Sequence, residues 1–80
     1  MKHSLLTKKQ WKYVQGLYHL TLRELEVAQL TCIGLNNDAI AKELRIRPGT
    51  VKSHLRTIYC KVCIRNKISL LLKFLENINK

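Results

Sequence analysis

Acidic residues are scarce in this chain. Five Asp and Glu stand against 15 Lys and Arg among 80 residues, a formal charge of +10. The five carboxylates (Glu24, Glu26, Asp38, Glu43 and Glu76) are scattered and the three histidines lie far apart. That distribution offers no acid–base pair and no nucleophile–base constellation, so the chain reads as a non-enzyme. Proline occurs once and glycine three times, too seldom for a disordered chain. No apolar run approaches the roughly 18 residues that cross a bilayer. The longest, "ISLLLKFL", is interrupted by Lys73. The opening "MKHSLLTKKQWK" builds no continuous apolar segment of the kind a secretory signal needs. Cysteine is present as an odd set, Cys32, Cys60 and Cys63, which cannot all pair within one chain. Free thiols in a reducing cytosol are the simplest reading.

What is abundant is positive charge. An excess this large exceeds the needs of solubility and points to a polyanion, most simply nucleic acid, with a solvated basic surface as the plain alternative. A chain of this length makes one domain with a small core. Two stretches, "LTKKQW" (6–11) and "LTLREL" (20–25), share a Leu-Thr-x-x-Gln/Glu-apolar grammar. Thr7 and Thr21 can cap helices, and Gln10 and Glu24 can close capping boxes. Leu6 with Trp11, and Leu20 with Leu25, can act as hydrophobic staples. The spacing predicts helices over about 8–18 and about 22–33, the second stopped by Gly34. Trp11, Val14 and Tyr18 form an apolar stripe on the first, suited to packing on the domain rather than to stacking bases. Asn36 caps a third helix, "NDAIAKEL", with Asp38 in its first turn. Pro48 suits only the start of a helix, so a fourth runs from there to about Val62. Asn66 caps a last helix to about Ile78. No strand pattern competes, and the fold class is all-α.

The fourth segment carries the chemistry. At about 100° per residue, Val51, Leu55, Ile58 and Val62 fall within a ~60° arc and form a core face. Lys52, Ser53, Arg56 and Cys60 lie opposite, with Thr50, His54, Thr57 and Lys61 flanking. A helix packed on one side and basic on the other fits the major groove of B-DNA, where Lys and Arg can donate to guanine O6 and N7. Ahead of it, Ala41 permits close helix crossing, and Leu44, Ile46 and Val51 can line the turn between two helices. That is helix-turn-helix logic, with the second helix reading bases and the first bracing it.

The stretch "LTLRELEVAQLTCIGLNNDAIAKELRIRPGTVKSHLRTIYCKV" closely resembles the DNA-binding domain of LuxR/FixJ-type transcriptional regulators, the GerE-like domain. The matches are Leu20, Thr21, Arg23, Glu24, Glu26 and Val27, then Gly34, then Asn37, Ile40, Ala41, Leu44 and Ile46. Thr50, Val51, Lys52, His54, Ile58 and Lys61 complete them. The likeness spans about residues 20–72. It implies a four-helix helix-turn-helix domain, here with an additional short N-terminal helix, whose third helix reads DNA and whose fourth usually mediates dimerisation. By the same resemblance Lys52, Ser53 and Arg56 stand at base-reading positions. Asn37, Thr50, His54 and Lys61 stand nearer the DNA backbone, the last three of them alternatively among the fold's internal polar contacts. Arg47 occupies the cap position where the family usually has Ser, and is a further candidate for a phosphate contact. Asp38 and Ala39 replace a basic and an acidic residue, and Lys67 replaces Arg.

The expected organisation is an N-terminal extension over 1–19, holding a short helix, and the helix-turn-helix domain over 20–80. Most family members carry a receiver or ligand-sensing domain ahead of this one, and some twenty residues can make neither. Met1 and the separately capped first helix predict a free-standing regulator. On the last helix, Ile68, Leu71, Leu72, Leu75 and Ile78 share one arc and are assigned to the core. Leu70 and Phe74 fall outside it, one turn apart, and are expected to form a dimer interface. The C-x-x-C of Cys60 and Cys63 has no second ligand pair near it, which speaks against zinc and leaves redox sensing as a lesser alternative. The expectation is therefore a sequence-specific, double-stranded-DNA-binding transcriptional regulator, a homodimer without cofactor or metal, acting in the bacterial cytoplasm at the nucleoid. Another LuxR-type regulator and RNA polymerase are further candidate partners, and a membrane is not. The rival is a small protein-interaction module that pairs with a full-length LuxR-type regulator and modulates it.

Overall fold

The computed structural model describes residues 6–78. They form five helices: α1 (Lys8–Tyr18), α2 (Leu22–Cys32), α3 (Asn37–Leu44), α4 (Pro48–Val62) and α5 (Lys67–Ile78). No strand occurs among the described residues, and the fold is all-α as the sequence predicts. No described helix is long and apolar enough to cross a membrane.

Local chemistry sets the helix starts. Thr7 Oγ1 accepts from the Gln10 N–H (3.2 Å) while Gln10 Oε1 accepts from the Thr7 N–H (2.8 Å). Thr21 and Glu24 repeat the box at 3.1 and 2.9 Å. Asn36 Oδ1 takes the Ala39 N–H, and Asn66 Oδ1 takes the Ser69 N–H. Each of these side chains satisfies backbone donors that a helix start leaves orphaned. The ends share another device. His19, Arg45 and Cys63 each adopt the left-handed conformation at a helix C-terminus, and the next residue donates back five positions: Leu20 to Gln15, Ile46 to Ala41, Ile64 to Tyr59. These are Schellman-type ends, each followed by an apolar residue that turns the chain back toward the core.

One core joins all five helices. Val27, Ile40, Val51 and Ile58 are fully enclosed, with Leu55 and Val62 close behind. The predicted core face of α4 is therefore the buried one. Ala41 is also buried, and Leu44 and Ile46 pack partly buried at the turn. The α1 stripe contributes Trp11 and Val14, with Leu6 preceding it, to the same core. Trp11 meets Phe74 edge-on at 5.6 Å between centroids, and Tyr18 lies 6.0 Å from the same ring.

That contact overturns the expectation for α5. Leu70 and Phe74 are completely buried, whereas Ile68 is 72 % and Leu72 59 % exposed. Leu70 and Phe74 thus belong to the core and cannot form a dimer surface. Leu71 and Leu75 are half-buried on the flank, and the side chain of Ile78 lies outside the described ones. The helix is apolar over most of its circumference, so periodicity alone cannot say which side faces inward. The Trp11 and Tyr18 rings decide it by drawing in the one phenyl group.

Candidate nucleic-acid interface

The turn between α3 and α4 is short and rigidly made. Arg45 ends α3 in the left-handed conformation, Ile46 donates to the Ala41 carbonyl at 3.0 Å, and Pro48 opens α4. Arg47 occupies the cap position in extended conformation without a side-chain hydrogen bond. A long cationic side chain cannot accept from the first helical N–H groups as Ser would. The α4 start thus has no side-chain acceptor, its Thr50 and Val51 N–H groups donating to the Arg47 carbonyl at 2.9 and 3.1 Å, and the positive end of its dipole favours an anion.

Along α4 the side chains divide as predicted. Val51, Leu55, Ile58 and Val62 face inward, and Lys52, Ser53 and Arg56 are exposed together on the far side. Arg47 and Thr50 are exposed at the helix start, and His54 is half-buried on the flank. Thr57 Oγ1 is occupied, donating to the Ser53 carbonyl at 3.2 Å. Among the described residues the ion pairs are Arg23–Glu26 (3.6 Å) and Lys61–Glu24 (2.7 Å). Neither consumes a cation of the exposed α4 face.

Asn37, Lys52 and Arg56 line one open cleft of about 460 Å³ between the start of α3, the outer half of α4 and the start of α5. Asn37 is half-buried, and its Oδ1 is shielded from solvent without a hydrogen-bond partner. Arg65 and Lys67 complete the basic rim, over a floor that includes Leu55, Tyr59 and Ile64. Sequence reasoning assigned neither Arg65 nor Lys67 a role. Their only signal is a basic pair just past the end of α4, and nothing in the sequence shows that the turn at Cys63 folds them back beside Lys52.

Lys61, which the resemblance gives either to the DNA backbone or to the fold's internal polar contacts, makes internal contacts in the structure. Its Nζ donates to Glu24 Oε1 at 2.7 Å and to the His19 carbonyl at 2.9 Å. The ammonium is tied into the corner between α1 and α2, the internal polar contact that the resemblance offers as the alternative. Burial raises the Glu24 carboxyl pKa. Hydrogen bonds from Lys61 and Thr21, with the Lys61 charge, outweigh that and hold it below its ordinary value. Glu24 thus closes the capping box that "LTLREL" predicts and holds the Lys61 ammonium besides.

The three cysteines are free thiols, Cys60 and Cys63 exposed and Cys32 half-buried. Burial pushes the Cys32 thiol up to about 12. No group of three His, Cys, Asp or Glu side chains gathers to hold a metal among the described residues.

Residues 18–74 match the family described as bacterial regulatory proteins, luxR family, the GerE model. The chain is 45 % identical over 51 residues to the transcriptional regulatory protein LnrK of Bacillus subtilis, covering 64 % of this chain and 23 % of that one. It is 42 % identical over 48 residues to the HTH-type transcriptional regulator MalT of Vibrio campbellii, covering 60 % of this chain and 5 % of that one. The chain therefore spans less than a quarter of the length of either relative. No solved structure matches it significantly. The helix pair α3–α4, the exposed basic face and the family match over most of the chain agree: the chain belongs to the luxR family of bacterial regulatory proteins.

Proposed function

We propose that the chain is a sequence-specific transcriptional regulator that binds double-stranded DNA by inserting α4 into the major groove. The observation that carries this reading is the division of α4: four apolar residues buried on one side, and Lys52, Ser53 and Arg56 exposed on the other. Lys52 and Arg56 are base-reading donors, and Ser53 between them is short enough to admit a base edge. Arg47, Thr50, Asn37 and His54 flank this face and are suited to the sugar-phosphate backbone, which fixes register. The luxR-family match and the relatives named as transcriptional regulators support the same reading.

Dimerisation belongs to this proposal and moves to a new face. Ile68 and Leu72 are one turn apart and exposed on α5, with Leu71 and Leu75 half-buried beside them. In a two-fold pair this stripe meets its own copy, and the two recognition helices then read half-sites about 34 Å apart. The same stripe is also a face on which another luxR-type regulator could dock, which keeps the protein-interaction reading as the second one.

Selection of bound sequences from a random duplex pool tests the proposal. An enriched inverted repeat is expected, and Lys52→Ala and Arg56→Ala should each cost about 1–3 kcal/mol on it and relax preference at one position. No enrichment, with no shift of any duplex by the purified chain, would leave the protein-interaction reading standing alone.

A further inference from the structure

The two exposed cysteines are not equivalent. Cys60 lines the cleft ringed by Lys52, Arg56, Arg65 and Lys67, whereas Cys63 is not part of its lining. Cys63 instead sits at the left-handed end of α4, its Sγ turned back to the Cys60 carbonyl at 3.7 Å. Cys32, the remaining thiol, is half-buried with a strongly raised pKa, which makes it inert toward disulfides in the folded chain. One thiol of three therefore opens into a basic concavity.

That concavity has the dimensions and make-up of a small-ligand site. About 460 Å³ falls within the range of clefts that enclose small organic molecules. Its floor of Leu55, Tyr59 and Ile64 is apolar and its rim carries four cations. A concave site lined by one sign of charge raises the local concentration of the opposite ion by an order of magnitude or more. The fitting reagent is small, anionic and partly apolar.

We propose that Cys60 is a modification site whose thiol takes a mixed disulfide from small anionic disulfides of the glutathione class, gathered by this cleft. The Cys60 thiolate attacks one sulfur of the reagent. A Cys60–sulfur bond forms as the reagent's own S–S bond breaks, and the departing thiolate takes up the proton that Cys60 has lost. Cys60 is oxidised to the disulfide level and half of the reagent is reduced to a thiol. The adduct fills the cleft between Lys52 and Arg56 and sets its carboxylates against both. Loss of DNA binding on modification rests on the function proposed above, whereas the reactivity does not.

The test compares thiols within the intact chain. Initial rates at Cys60 and Cys63 are read by peptide mass spectrometry of the wild type, and separately in Cys63→Ser and Cys60→Ser, with dianionic dithiobis(nitrobenzoate), oxidised glutathione and cationic cystamine. With the anionic reagents at low salt Cys60 should react about tenfold faster than Cys63. The ratio should fall toward one with cystamine and at high salt. Arg65→Gln with Lys67→Gln should slow Cys60 toward anionic reagents more than Cys63 and so lower the ratio between them. Equal rates at the two cysteines with every reagent, or a Cys60 preference indifferent to reagent charge, would overturn the proposal. Selective modification without any effect on duplex binding would keep the site and count against the DNA reading instead.

Discussion

Glu24 serves two partners with one carboxylate. Its Oε1 accepts from the Thr21 N–H and from Lys61 Nζ, and the net effect is a pKa below the ordinary 4.5 despite burial. A carboxyl depressed in the folded state contributes stability above its unfolded pKa and loses it as pH falls through the folded value. Glu24→Gln keeps an acceptor for the cap but not the charge. It should lower stability at neutral pH by about 1–3 kcal/mol, and the gap to wild type should close as pH falls below 4.5. Urea midpoints at neutral and acid pH measure this; a gap independent of pH would mean that the charge contributes nothing. Arg47 presents the opposite situation, a cap position that goes unused. Arg47→Ser should stabilise the fold by roughly 0.5–1 kcal/mol, which raises Tm by about 2–8 °C in a domain of this size. A Tm that stays level or drops would show the first N–H groups of α4 to be satisfied by other means.

At the scale of elements, α5 separates two kinds of apolar residue. Phe74 is wholly enclosed and receives the edge of Trp11, so Phe74→Ala should cost about 3–5 kcal/mol and unfold much of the population. Ile68→Lys with Leu72→Lys touches only exposed positions and should leave a folded, monomeric chain. Circular dichroism and sedimentation distinguish these outcomes. Lost helicity in the double variant would place Ile68 or Leu72 in the core, and an unchanged dimer would move the interface off this stripe. The same helix marks the limit of what the sequence reveals. Helices α1 to α3 are legible because their caps lie three residues from their partners, and α4 because Pro48 opens it and it has a single apolar face. In α5, leucines occupy both sides, and the choice depends on Trp11, more than sixty residues earlier. The site divides in the same way. Lys52, Ser53 and Arg56 follow from the face opposite Val51 and Leu55, a local inference. The engagement of Lys61 depends on a carboxylate 37 residues away, and the Arg65 and Lys67 rim depends on three segments meeting.

For the whole molecule the governing quantity is its charge of +10. If each protomer of a dimer neutralises about four phosphates, log K should fall with log salt at a slope near −7. Fluorescence anisotropy with a random duplex at several salt concentrations gives the slope. A flat response between low and moderate salt would remove DNA from the list of partners. Affinity of that kind is indifferent to how α4 is rolled about its own axis, but reading bases is not. Lys61 and Lys52 are nine residues apart, which at about 100° per residue places them roughly 180° apart around the helix. The ammonium held between Glu24 and the His19 carbonyl therefore works as a key in a keyway, fixing the roll of α4 and with it the direction in which Lys52 leaves the opposite flank. A slip of about 20° would swing a side chain some 6 Å from the axis through about 2 Å, most of a hydrogen-bond length. If α4 reads bases as proposed, a fault at this corner would thus blur which base is read while leaving the grip on the phosphates almost intact.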